Sequence, residues 1–155
     1  MQKRSVLHPA IRLFFLFFLV NTIGYIGGTY MTPQTMQWYH SLLMSSLTPP
    51  DWVFPIVWTF LFTLMAISAF LVWGKATPRW FTAQLMANML WSFSFFYLKN
   101  PVLAAGIIVL MLVFLFLNIR SFAKVSKMAG WLLVPTFLWT LFAFYLNLYI
   151  VFNNT

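Results

Sequence analysis

Five stretches of this chain, at 13–31, 52–73, 80–98, 102–119 and 128–152, contain no charged residue. A helix that crosses a bilayer needs about 20 mostly apolar residues, so each stretch reads as one spanning helix. Composition points the same way. Only 6% of the 155 residues are charged and 63% are hydrophobic, where an ordinary soluble domain carries roughly 25% charge. Nine Lys+Arg and one acid cannot cover the surface of a water-soluble fold of this size. The expected fold class is an all-α membrane protein: one domain, a bundle of five transmembrane helices, with a longer loop at 32–51.

The links between the stretches carry the charge. Placing the N-terminus in the cytoplasm puts Lys3, Arg4, Arg12, Lys75, Arg79, Arg120, Lys124 and Lys127 inside and only Lys99 outside. Cytoplasmic loops are enriched in Lys and Arg, so the expectation is N-terminus inside and C-terminus outside, in a bacterial cell membrane. The net charge of +8 is scattered rather than gathered into a stripe, which argues against nucleic acid as a partner. Lys3, Arg4 and Arg12 before an apolar run also resemble a secretory leader, but the run continues through Asn21 and Gly24 without an A-x-A-like site and reads as a spanning helix. No cysteine is present, which excludes disulfides, thiolate metal sites and a cysteine nucleophile.

Inside a bilayer, polar side chains find partners or line a cavity. Gln84, Asn88 and Trp91 share one helical face, with Ser92 and Phe95 beside them. Pro135, Trp139, Ala143 and Asn147 form a second stripe, and Trp58, Phe62 and Met65 a third. Asn21 and Tyr25 come from the first helix. The asparagines also fit plain hydrogen bonds between helices. Trp52, Trp73, Trp80 and Trp131 fall at helix ends, the usual interfacial place. Trp58, Trp91 and Trp139 lie deeper, and three inward indoles suit either a packed core or a wall for a flat aromatic guest. Gly24 and Gly28, like Ala83 and Ala87, have the spacing that lets helices approach closely, within one chain or between two. Thr48 and Asp51 are candidate caps for the second helix, with Pro55 in its first turn.

The chain resembles the tryptophan-rich sensory protein/translocator protein family, also called the peripheral benzodiazepine receptor family. The resemblance is carried by Trp38-Tyr39 in the loop and by Thr48-Pro49-Pro50-Asp51-Trp52-Val53-Phe54 followed by Val57-Trp58-Thr59. Gln84-Leu85, Asn88, Trp91-Ser92 and Phe95-Phe96 carry it in the third helix, and Pro135, Trp139, Phe142-Ala143 and Leu146-Asn147 in the fifth. It implies five helices, homodimers and a pocket capped by loop 32–51. The implied ligand-binding residues are Trp38, Tyr39, Trp58, Phe62, Asn88, Trp91, Trp139, Ala143 and Leu146. The implied partners are tetrapyrroles (protoporphyrin IX or haem, bound as ligand and not as a required cofactor) and benzodiazepine-site ligands. The chain departs from the family pattern at Met44-Ser45-Ser46-Leu47, where K-P-x-W is usual, at Phe62, where tyrosine is common, and at Thr136. The Lys or Arg of the proposed cholesterol motif is missing after Tyr149, so sterol binding is not expected.

The implied function is tetrapyrrole binding in transport, sensing or stress regulation. One alternative is light-dependent porphyrin breakdown using pocket tryptophans such as Trp58 and Trp139; another is export of small apolar compounds. Acid–base catalysis has little to draw on. Asp51 is the only carboxylate side chain, and His8 and His40 are too far apart in sequence to suggest a triad or a metal site. No catalytic or metal-binding residue is therefore expected. An exporter commonly couples to protons through an intramembrane acid or histidine, and none falls in the five stretches.

Overall fold

The computed structural model describes residues 8–154; Lys3 and Arg4 of the charge split lie outside them. The described residues form six α-helices and one π-helical segment: α1 (Pro9–Gly28), α2 (Pro33–His40), α3 (Val53–Leu71), α4 (Arg79–Ser92) continuing as π-helix (Phe93–Tyr97), α5 (Pro101–Ala123) and α6 (Lys127–Asn154). Four of them, α1, α3, α5 and α6, are long and apolar enough to cross a membrane. α4 stops short as an α-helix because its backbone widens at Phe93, where the Leu98 N–H reaches the Phe93 carbonyl at 3.0 Å.

Proline sets several helix starts. Pro9, Pro33 and Pro101 each open a helix, where a missing N–H costs nothing. Side chains of the preceding residues cap the exposed donors: Thr32 Oγ1 accepts from the Thr35 N–H at 3.2 Å, and Asn100 Oδ1 from the Leu103 N–H at 2.9 Å. The Thr32 cap is why the segment expected as a loop at 32–51 contains α2. Asp51 behaves differently from the cap expected of it. α3 starts at Val53 without a side-chain cap, and the Asp51 carboxylate pairs instead with His40, Nε2 to Oδ2 2.7 Å. Thr48 makes no cap either, since it lies too far before Val53.

The long helices pack in a closed ring in the order α1, α3, α6, α5, α4 and back to α1. Two ends of this ring differ. At the end away from α2 the interior is solid, filled by Leu16, Val20, Met65, Ala66, Leu85 and Leu133 among others. Two polar groups are satisfied there without water. Ser68 Oγ donates to the Ala129 carbonyl at 2.7 Å, and Gln84 Nε2 to the Met65 sulfur at 3.2 Å. The α5–α6 hairpin is close because Gly130 faces Ala123: a Cβ on the glycine would stand 2.7 Å from the Ala123 Cβ. Outward faces carry Phe14, Phe18, Leu110, Val113 and Leu138, exposed as a lipid-facing surface requires.

Candidate functional site: a cavity under the lid

At the α2 end the ring is hollow. A cavity of about 820 Å³ is walled by α1, α3, α4 with its π segment, and α6, and roofed by α2 and its flanking residues. α5 packs behind the wall and contributes no lining residue. The floor is Phe62, which is 5% exposed and packs against the solid core. The volume falls within the roughly 300–1,000 Å³ of small-molecule sites.

The rings on the wall are held by their neighbours. Trp91 stacks on Phe95 with centroids 5.8 Å apart, and its Nε1–H donates to Asn147 Oδ1 at 3.2 Å. Asn147 Nδ2 then donates to the Pro101 carbonyl at 2.7 Å. Trp58 leans on Phe62 at 5.4 Å, and Trp139 meets Phe54 nearly edge-on at 6.0 Å. Asn88 donates weakly to the Met111 sulfur, 3.7 Å away. Trp139 Nε1 is buried and has no hydrogen-bond partner among the described residues.

Of the nine expected site residues, Tyr39, Trp58, Phe62, Asn88, Trp91, Trp139, Ala143 and Leu146 line this cavity. Trp38 does not. Adjacent helical residues point about 100° apart, so with Tyr39 turned inward Trp38 faces a separate cavity of about 350 Å³, beside Leu98 and Lys99. Its ring packs on Phe95 at 5.7 Å, and Lys99 Nζ lies 5.9 Å from it. Asn21 and Tyr25 of α1 also line the main cavity, while Gln84 and Met65 belong to the solid end.

Other lining residues have no counterpart in the sequence reading of the site. Phe96 joins Phe95 because a π-helical turn carries an extra residue, which regular 3.6-residue periodicity does not anticipate. Phe54, Pro55 and Thr59 enter from the first turns of α3, and Met36 from the unforeseen α2. The quoted Phe95-Phe96 pair, the Val53-Phe54 and Val57-Trp58-Thr59 segments and the first-turn Pro55 pointed to some of these, and nothing pointed to Met36.

The roof is electrostatically sparse. Asp51 lines the cavity, and among the described residues no Lys or Arg does. Tyr39 is buried, and desolvation, with a smaller push from the Asp51 carboxylate, raises its phenol from the usual 10.0 to about 12. The phenol is therefore a neutral group at physiological pH, able to donate a hydrogen bond.

A family model described as TspO/MBR family matches residues 15–152. The chain is 41% identical over 145 residues to the tryptophan-rich protein TspO of Chlorobaculum tepidum, covering 88% of this chain and 91% of that one. It is 33% identical over 148 residues to the protein CrtK of Rhodobacter capsulatus, covering 89% and 90%. To the translocator protein of Homo sapiens it is 28% identical over 141 residues, covering 84% and 83%. A match across nearly all the described helices, with relatives of similar length, makes this integral membrane protein a member of the TspO/MBR family.

Proposed function

We propose that the protein binds a flat tetrapyrrole, protoporphyrin IX or haem, in the cavity under α2, and that it acts in porphyrin transport or sensing. The observation that carries the reading is a hollow of about 820 Å³ with Trp58, Trp91 and Trp139 on three different helices facing it. Indole faces suit a planar aromatic macrocycle. The same cavity suits smaller aromatic ligands of the benzodiazepine-site kind. The partnerless Trp139 indole supports the reading too: an acceptor on a guest would satisfy a donor that is otherwise buried at a cost.

Charge sets how the guest lies. With no lining Lys or Arg among the described residues and with Asp51 at the roof, propionate groups gain nothing inside. They point to the mouth and to water, and the apolar macrocycle edge enters first.

The reading also requires a particular setting in the membrane. α4 and its π segment form a continuous rod beside α1 and α5, and we take it as a fifth span with the four longer helices. With the N-terminus inside, α2 and the cavity mouth then face outward.

Titrating protoporphyrin IX into the purified protein tests the reading directly. Binding quenches tryptophan emission, and Trp58→Phe and Trp139→Phe each weaken affinity about fivefold through lost ring area. Unchanged affinity in both variants removes the site from this cavity.

A further inference from the structure

We infer that Asn154, in the last described turn of α6, is a positioning residue that latches the lid over the cavity and thereby slows the exit of a bound guest; the identity of that guest rests on the porphyrin reading above.

Residues 33–52 roof the cavity, and Met36, Tyr39 and Asp51 line it from that side. Among the described residues, the side-chain hydrogen bonds that tie this segment to the long helices go to α6, while the Pro50 and Asp51 carbonyls accept backbone bonds from the first turn of α3. Asn154 makes two of the bonds to α6. Its Oδ1 accepts from the Leu43 N–H at 2.7 Å, and its Nδ2 donates to the Leu43 carbonyl at 3.0 Å. The third joins the Ser45 and Tyr145 hydroxyls at 3.0 Å.

The Asn154 contact is built rather than incidental. A carboxamide presents a donor and an acceptor in one plane, so one side chain satisfies both backbone groups of one lid residue, as a neighbouring strand would. Nδ2 also donates to the Ile150 carbonyl one turn below, at 2.9 Å. That bond fixes the side chain from behind and aims it at the lid.

Side-chain packing does not hold Leu43 in place, because it is 64% exposed. Leu42 and Met44 on either side pack against the Phe95, Phe96 and Ile150 cluster, and what fastens Leu43 itself between them is its backbone, whose partner is Asn154. The latch also continues the wall. Trp139, Ala143, Leu146, Asn147 and Ile150 of α6 line the cavity, and Asn154 follows one turn after Ile150. The same helix thus forms one side of the cavity and grips its cover.

The test compares the wild-type protein with Asn154→Ala and Asn154→Asp in lipid nanodiscs. Alanine removes both bonds; aspartate keeps the acceptor and sets a carboxylate against the Leu43 carbonyl. Amide hydrogen exchange is read on peptides spanning 41–47, and protoporphyrin IX association and dissociation are followed by tryptophan quenching. The expected result is faster exchange at 41–47 in both variants, with α3 and α5 peptides unchanged, which also reports that the variants fold. Dissociation rises about fivefold, as loss of two water-accessible neutral hydrogen bonds implies, while association does not slow. Exchange at 41–47 equal to wild type overturns the latch, and so does faster exchange with unaltered dissociation. Failure of wild-type protein to bind protoporphyrin IX defeats the porphyrin reading alone, and the exchange comparison then decides the latch by itself.

Discussion

Trp91 of α4 and Asn147 of α6 are joined by a 3.2 Å hydrogen bond, and the same Asn147 amide holds the first carbonyl of α5. One side chain thus joins three helices at the hollow end of the ring, beside the packed cluster of Phe95, Phe96, Ala104 and Ile150. It also sets the tilt of a cavity-lining indole. Asn147→Ala leaves the Trp91 N–H without its acceptor and the Pro101 carbonyl without a donor. The expected cost is about 1–2 kcal/mol, read as a lower thermal midpoint in detergent, with a shifted Trp91 emission. An unchanged midpoint means that the three helices are registered by other contacts.

Gly24 and Gly28, two of the three glycines of α1, are predicted to differ. A Cβ on Gly24 would lie 2.7 Å from Phe62 Cδ2, whereas one on Gly28 would meet nothing within 4 Å. Gly24→Val must push the ring from the cavity floor or part α1 from α3, at about 1–3 kcal/mol. Gly28→Ala leaves stability alone. Thermal unfolding of both variants checks the contrast, and equal effects would contradict the Gly24–Phe62 contact.

Asp51 at the roof, with no lining Lys or Arg among the described residues, makes a prediction about ligand charge. Protoporphyrin dimethyl ester is expected to bind at least as tightly as the free diacid, because esterification removes the charges that gain nothing in the cavity. Asp51→Asn is expected to tighten the diacid about twofold to fivefold, on the scale of a water-screened charge contact, and to leave the ester unaffected. A diacid that binds tenfold more tightly than its ester would reveal a cation in the site.

Tyr39 supplies a pH test. Burial first, and the Asp51 carboxylate second, raise its phenol to about 12. The folded lid therefore favours the neutral phenol. This contribution is complete below pH 10, where phenol is neutral in folded and unfolded chains alike, and is lost as pH rises from 10 through 12. A difference titration at 295 nm between wild type and Tyr39→Phe should show the missing phenolate appearing near pH 12. A midpoint near 10 would place Tyr39 in water.

Much of the fold follows from local chemistry. Charge-free runs of membrane-spanning length specify apolar helices before any packing is known, although the helices begin at Pro9 and Pro101, ahead of the runs at 13 and 102. Helical periodicity likewise puts Asn88 with Trp91, and Trp139 with Ala143, on common faces. Periodicity relates residues within one helix, however, and carries no measure of the gap between two. Whether inward indoles meet as a core or leave room for a guest depends on where the helices touch. Here α1 and α3 close on Gly24 and Phe62, and α5 and α6 on Gly130 and Ala123, so the ring fills at one end and stays open at the other. The same limit explains the lid. Trp38 and Tyr39 are adjacent in the chain, and only the docking of α2 on Phe95 and Phe96 turns Tyr39 to the cavity and Trp38 away. Asp51 has a cap's position by pattern, but His40, eleven residues earlier, binds it instead. Contacts between distant residues have no trace in local pattern, because their energies arise only once the chain has folded back on itself.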